Sequence, residues 1–201
     1  MNFQYPDTVL LIFAKAPEPG KVKTRLISVL GKEAACEFYS KMASDIISRL
    51  TDSMLCPIVL YCYPDTNHIF FKKHEQKFNL ELKRQEGIDL GERMFHSIKT
   101  ALDYSTKAII IGTDCPSYSE QYIEEAVNQL DKFDVVLGPA TDGGYVLIGM
   151  KEPHHQLFND IKWSTNTVLQ STVTKIKENK LSYYLLSPLN DIDEPGDLQF
   201  L

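Results

Sequence analysis

The 201-residue chain predicts an α/β fold, a layered domain with a mainly parallel, mixed sheet. Three observations carry that expectation. Strand-like and helix-like segments alternate along the chain, which is the signature of βαβ crossovers. The clearest strand-like runs are continuously apolar, with none of the period-two alternation of a half-exposed strand, as expected for strands covered on both faces. The intervening segments repeat their apolar residues at helical spacing.

Taken in order, Thr8 to Ala14 is the first such apolar run. From Gly31 to Leu50 apolar residues recur at Ala34, Ala35, Phe38, Met42, Ile46 and Leu50, a helix. Pro57 opens a second strand, "IVLYCY". Asn67 to Phe78 reads as a weaker helix rich in lysine, and Leu80 to Gln85 as a short strand. Glu92 to Tyr104 carries Met94, Phe95, Ile98, Ala101 and Leu102 on one helical face. "KAIIIG" is the clearest internal strand, ended by Gly112. "SEQYIEEAVNQL" starts at Ser119, a good N-cap, with Tyr122, Ile123, Ala126, Val127 and Leu130 on one face. "DVVLGPA" and "GYVLIGM" form two strands around a turn at Asp142, Gly143 and Gly144. Ser164 or Thr165 caps a helix running to about Glu178, and "SYYLLS" is a last strand before an acidic tail. There is no internal repeat and no linker, so residues 1–201 are expected to form one domain.

Composition narrows the function. With 43% hydrophobic residues the chain can bury a full core. A net charge of -6 argues against a nucleic-acid surface, and the apolar runs are far shorter than the roughly 20 residues a membrane helix needs. No signal peptide is visible at the N-terminus, and the four cysteines form no CxxC pair, so a cytoplasmic protein with reduced thiols, as monomer or homodimer, is expected.

Against that acidic background "FAKAPEPGKVKTRL" stands out, with Lys15, Lys21, Lys23 and Arg25 around Pro17, Pro19 and Gly20. Lysine binds phosphate as a point charge and arginine as a planar fork. The segment is either a solvated basic turn or a phosphate cradle that includes Thr24. A Walker-A loop is excluded, because GxxxxGK[ST] needs glycine where Lys15 stands. In "IIIGTDCP", Asp114 follows a buried strand and is either a turn acid or a ligand for Mg²⁺ bridging substrate phosphates. Cys115 reads better as a small apolar thiol than as a nucleophile. "GPATDGGY" offers Gly143 and Gly144, whose backbone N–H groups can face phosphate or sugar oxygens, or form an ordinary hairpin turn. "NDIDEPGDL" packs Asp191, Asp193, Glu194 and Asp197 into seven residues, either a solvated capping run or part of a cation site shared with Asp114. Since ligands of parallel α/β sheets bind beyond the carboxyl ends of the strands, these loops can converge on one edge.

Together, "FAKAPEPGKVKTRL", "QEGIDLGERM", "IGTDCP", "GPATDGGYVLIG", "WSTNTVLQST" and "DIDEPGDL" resemble the DUF2064 family of bacterial proteins, labelled glycosyltransferase-like or radical-SAM/selenodomain-associated transferases. More loosely they resemble the molybdenum-cofactor and 2-phospho-lactate guanylyltransferases. The resemblance implies a three-layer, Rossmann-like GT-A fold of the nucleotide-diphospho-sugar transferase type. It also implies phosphate binding by Gly20, Lys23 and Arg25, a metal on Asp114 with Asp191 and Asp193, and base or ribose contact in the segment holding Gln85, Gly87 and Arg93. The expected activity is Mg²⁺- or Mn²⁺-dependent nucleotidyl or glycosyl transfer from a nucleoside triphosphate or nucleotide-sugar to a small acceptor, with Lys23, Arg25 and Asp114 as the catalytic groups. The alternative is a non-catalytic nucleotide-binding module on the same fold.

Overall fold

A computed structural model describes residues 2–200. Seven strands form one sheet: β1 (Thr8–Lys15), β2 (Ile58–Tyr63), β3 (Glu81–Arg84), β4 (Lys107–Gly112), β5 (Val135–Pro139), β6 (Tyr145–Met150) and β7 (Tyr183–Leu185). Their spatial order is β3-β2-β1-β4-β6-β5-β7. Only β6 runs against its neighbours; the pairs β1/β2, β1/β4, β2/β3 and β5/β7 are parallel. The helices are α1 (Ile27–Leu30), α2 (Lys32–Asp52), α3 (Ile69–Phe78), α4 (Leu90–Leu102), α5 (Glu120–Gln129) and α6 (Val168–Glu178).

The uninterrupted apolar runs have the expected cause. On β1, Leu10, Ile12 and Ala14 enter the core layer formed with α2, α3 and α5, while Val9, Leu11 and Phe13 enter the layer formed with α4 and α6. Ile109 and Ile111 of β4 face the first layer and Ala108 and Ile110 the second. Both faces are therefore dry, and polar alternation would bury unpaired groups. No helix of the described residues is long and apolar enough to cross a membrane.

The helix ends show where local signals succeed and where they are overridden. Ser119 caps α5 as expected, its hydroxyl accepting from the Tyr122 N–H at 3.1 Å. Ser164 and Thr165 do not cap α6. Ser164 adopts φ 62, and the Thr165 hydroxyl donates to the Lys162 carbonyl at 2.7 Å, so the chain spends one more turn before α6 starts behind Thr167. The Asn166 backbone packs closely against Gly143 of the neighbouring hairpin.

Chain direction positions the site. From β1 the chain builds outward through β2 and β3, then returns to add β4 on the other side of β1. That reversal opens a crevice beyond the carboxyl ends of β1 and β4, the position at which open α/β sheets bind ligands. Because β6 is antiparallel, the β5–β6 turn lies at the same edge.

Candidate functional site

A cavity of about 340 Å³ fills this crevice. Its walls include Lys15, Lys21, Lys23, Thr24, Gln85, Asp114 and Asp193 from the residues singled out in the sequence. Four separate loops contribute them: those following β1, β3, β4 and β7.

The loop after β1 is held by its apolar residues. Val22 is 4% exposed and Leu26 is fully buried, and the 3-10 turn Thr24–Leu26 joins them to α1. Between these anchors Lys23 takes a left-handed conformation, φ 46 and ψ 44, unusual for a side-chain-bearing residue. The consequence is inward aim: the Lys23 side chain is 1% exposed. Its Nζ is in ion-pair contact with Asp114 Oδ1 and lies 3.6 Å from Asp193 Oδ1. It nevertheless makes no well-directed hydrogen bond to the described residues. A buried ammonium has three donors to satisfy, and here the two carboxylates meet that demand by charge more than by hydrogen-bond direction.

The other basic residues differ in circumstance. Lys21 Nζ is solvent-exposed and paired with Glu18 at 2.7 Å. Arg25 lies outside the cavity lining, where one terminal nitrogen bonds Asp193 Oδ2 at 3.1 Å and reaches Glu194 Oε1 at 3.3 Å. It thereby clips the acidic tail to the basic loop. Gly20 sits at φ 82 and opens the turn.

The acidic tail is laid down by backbone bonds. Leu189 N–H donates to the Pro139 carbonyl at 3.0 Å, and Ile192 N–H to the Asp114 carbonyl at 2.9 Å. Ile192 is fully buried, so Asp191 and Asp193 flank an anchored residue and reach the same region as Asp114. Burial pushes the Asp191 carboxyl up to about 6, with repulsion from Asp142, Asp193 and Asp114 adding to it. The acids crowd one another, yet no three of them already converge as metal ligands among the described residues.

Gln85 is 7% exposed, and its amide nitrogen is tied to the Tyr61 carbonyl at 2.9 Å and the Ala14 carbonyl at 3.4 Å. That fixes the orientation of its oxygen as an acceptor at the cavity wall. Gly87, Arg93, Gly143, Gly144 and Asp191 are absent from the cavity lining. Arg93 instead stacks over Tyr63, 4.3 Å from the ring centroid, and donates to the Gly87 carbonyl at 3.2 Å. Gly143, at φ 93, lets the hairpin turn press on the 164–167 backbone, where a Cβ would collide with the Asn166 carbonyl. Its own carbonyl accepts from Leu169 N–H at 3.0 Å, and Gly144 N–H is taken by Asp142 Oδ1 at 2.8 Å.

Sequence reasoning missed Tyr39 and Thr113. The Tyr39 hydroxyl accepts from the Lys15 N–H at 2.8 Å and lies 3.0 Å from Thr113 Oγ1, stitching the ends of β1 and β4 at the cavity floor. Burial holds its phenol well above the usual range, so it acts as a neutral hydrogen-bonding group. Tyr39 falls on the apolar face of α2 and looks there like any core aromatic; no sequence signal marks it. Burial also pushes the Cys115 thiol up to about 11, far from a reactive thiolate.

The sequence profile of a family described as "Uncharacterized protein conserved in bacteria (DUF2064)" matches residues 46–165. The chain is 27% identical over 183 residues to the 2-phospho-L-lactate guanylyltransferase of Methanocaldococcus vulcanius, covering 88% of this chain and 77% of that enzyme. Among solved structures it is similar to a candidate nucleotide-diphospho-sugar transferase from Desulfovibrio desulfuricans G20, with TM-score 0.88 and 33% identity over 96% of this chain and 85% of the other. A 4-diphosphocytidyl-2C-methyl-D-erythritol synthase from Anaerococcus prevotii shares the fold alone, with TM-score 0.63, 13% identity and coverage of 97% and 96%.

Proposed function

This chain belongs to the DUF2064 family, and from that premise we propose that it is a nucleotidyltransferase which binds a nucleoside triphosphate between β1 and β4 and transfers its nucleotidyl group to a small acceptor. The observation that carries the reading is Lys23: a buried ammonium at the switch point of the sheet, lining the cavity beside two carboxylates and without a well-directed hydrogen bond. A triphosphate would supply three or more oxygens to it.

In this reading Lys23 neutralises charge on the phosphates, while Lys15, Lys21 and Thr24 line their path and Arg25 holds the acidic tail against them. The Gln85 oxygen accepts from an N–H or O–H of the base or ribose. An acceptor oxygen attacks the α-phosphorus, the bond to the bridging oxygen breaks, and pyrophosphate leaves with the electron pair. No protein nucleophile takes part, and the chain contributes positioning and electrostatic stabilisation. Asp114, Asp191 and Asp193 offer hard carboxylate oxygens suited to Mg²⁺ or Mn²⁺; burial is the main cause that raises the Asp191 carboxyl, and a cation would relieve the repulsion from neighbouring acids that adds to it. When bound, such an ion would be held by these carboxylates and would offset the charge developing on the leaving group. The reduced, buried cysteines suit a cytoplasmic setting.

The 2-phospho-L-lactate guanylyltransferase relatives make GTP with a small phosphorylated 2-hydroxy acid the first pair to try. The 33%-identical structure supports glycosyl transfer as a second reading. The test is thermal stabilisation by GTP, CTP, ATP, UTP and nucleotide-sugars with and without Mg²⁺, followed by product analysis. Pyrophosphate release identifies nucleotidyl transfer and nucleoside diphosphate release identifies glycosyl transfer. Asp114→Asn should remove the Mg²⁺-dependent part of the stabilisation; a protein stabilised by no nucleotide at all would refute both readings.

A further inference from the structure

We infer that the Lys23 ammonium occupies the divalent-cation position when no nucleotide is bound, so that the metal enters with the nucleotide and not before it. This rests on the metal reading of Asp114 and Asp193 given above. Those two carboxylates arrive on different loops, after β4 and β7, and the group found between them is the Lys23 Nζ, in contact with Asp114 Oδ1 and 3.6 Å from Asp193 Oδ1. An ammonium and a metal ion compete for the same carboxylate oxygens, and two cations within a few ångströms repel strongly where water is excluded. The ammonium itself is shielded, at 1% side-chain exposure, while Asp114 and Asp193 are 52% and 43% exposed, so water screens the repulsion from the carboxylate side only.

The arrangement is also incomplete in a way that favours exchange. Lys23 reaches two acids but makes no well-directed hydrogen bond, so its three donors are poorly used. A free metal ion could displace it only by leaving that ammonium buried against a second cation. A polyphosphate removes the conflict, because its oxygens take the Lys23 donors while Asp114 and Asp193 turn to the metal it carries. The backbone need not move for this. Val22 and Leu26 anchor the loop on either side, and a lysine stem has four rotatable bonds with which to shift its head group. Lys23 is thus a gate that couples metal entry to nucleotide.

The experiment reads Mn²⁺ binding directly, by the electron paramagnetic resonance signal of free Mn²⁺ titrated with protein in the absence of nucleotide. The wild type should bind Mn²⁺ only weakly. Lys23→Met and Lys23→Gln should each bind one Mn²⁺ at least tenfold more tightly, and adding Asp114→Asn to Lys23→Met should abolish the gain. Lys23→Gly, which suits the left-handed backbone, replaces either variant if circular dichroism shows it unfolded. A wild type that binds Mn²⁺ as tightly as the Lys23 variants overturns the inference. A parallel melt of the wild type with GTP and CTP in EDTA separates the two claims. Stabilisation there, together with no gain of Mn²⁺ affinity in the variants, sinks the gate and leaves the nucleotide reading standing. Absence of stabilisation by any nucleotide, with or without metal, removes both.

Discussion

Lys23 and Lys107 are both buried, 6% and 8% exposed, and each is in ion-pair contact with a carboxylate, yet they sit at opposite edges of the sheet and differ in their remaining partners. Lys107 opens β4 at the amino edge. Its Nζ lies 2.5 Å from Asp131 Oδ1 and donates to the Val127 carbonyl at 3.4 Å, so the fold itself supplies its partners. Lys23, at the carboxyl edge, has acids near it but no well-directed hydrogen bond. The acids repeat the contrast. At the amino edge Asp134 accepts from the Ser182 N–H at 2.8 Å and hydroxyl at 2.6 Å, and these bonds hold its carboxyl below the usual range. At the carboxyl edge, burial and neighbouring acids push Asp191 up. Lys107 and Asp134 thus find hydrogen-bond partners within the fold, whereas Lys23 and Asp191 sit among crowded acids, and burial or residue type alone would not have told them apart.

The contrast can be broken most directly at Lys23. Lys23→Met should lower kcat/KM for nucleotidyl transfer by about 10²–10³, the cost of losing a preorganised charge, while leaving the ligand-free melting temperature unchanged or raised. A variant that retains activity would end the distinction between the two lysines. Next in size, Gly143→Ala should destabilise the protein by about 2–3 kcal/mol, since a Cβ meets the Asn166 carbonyl at a φ of 93. Urea unfolding measures it, and a near-neutral result would mean that the hairpin turn at the carboxyl edge is not held by close backbone packing. Lys107→Met should reverse the Lys23 outcome: stability falls by about 1 kcal/mol and nucleotide-induced stabilisation is kept. Smallest is Asp134→Asn. A carboxyl lowered in the folded state stabilises above its unfolded pKa of about 4, and that contribution is lost as pH falls through the folded value. The variant should therefore lose about 0.5 kcal/mol at pH 7, allowing for solvent screening, and match the wild type near pH 2. An unchanged difference at low pH would assign the effect to something other than charge.

Much of the frame was legible because it follows from local chemistry. The double-sided apolar runs of β1 and β4 announce buried parallel strands, and the basic loop and Asp114 are readable because each directly follows one of those runs. Asp191 and Asp193 are readable as a pair with an apolar residue between them. What failed was local inference applied where a neighbour decides. Ser164 and Thr165 carry good capping side chains, but the chain there is shaped by the approach of Gly143, so α6 begins later. Gln85, Gly87 and Arg93 share one motif, yet only Gln85 reaches the cavity lining, because Arg93 is spent on Tyr63.

By itself the sequence determined the layered α/β class, the order of its elements and the identity of the charged loops, since periodicity and turn chemistry act over a few residues. Tertiary structure alone decided that Tyr39 and Thr113 join the ends of β1 and β4, that Arg25 clips the tail rather than lining the cavity, and that Lys23 rather than Lys21 is buried against Asp114. The physical reason is that burial and partnership belong to contacts between distant segments. Lys23 and Asp114 are separated by 91 positions along the chain and meet only because β1 and β4 are neighbours.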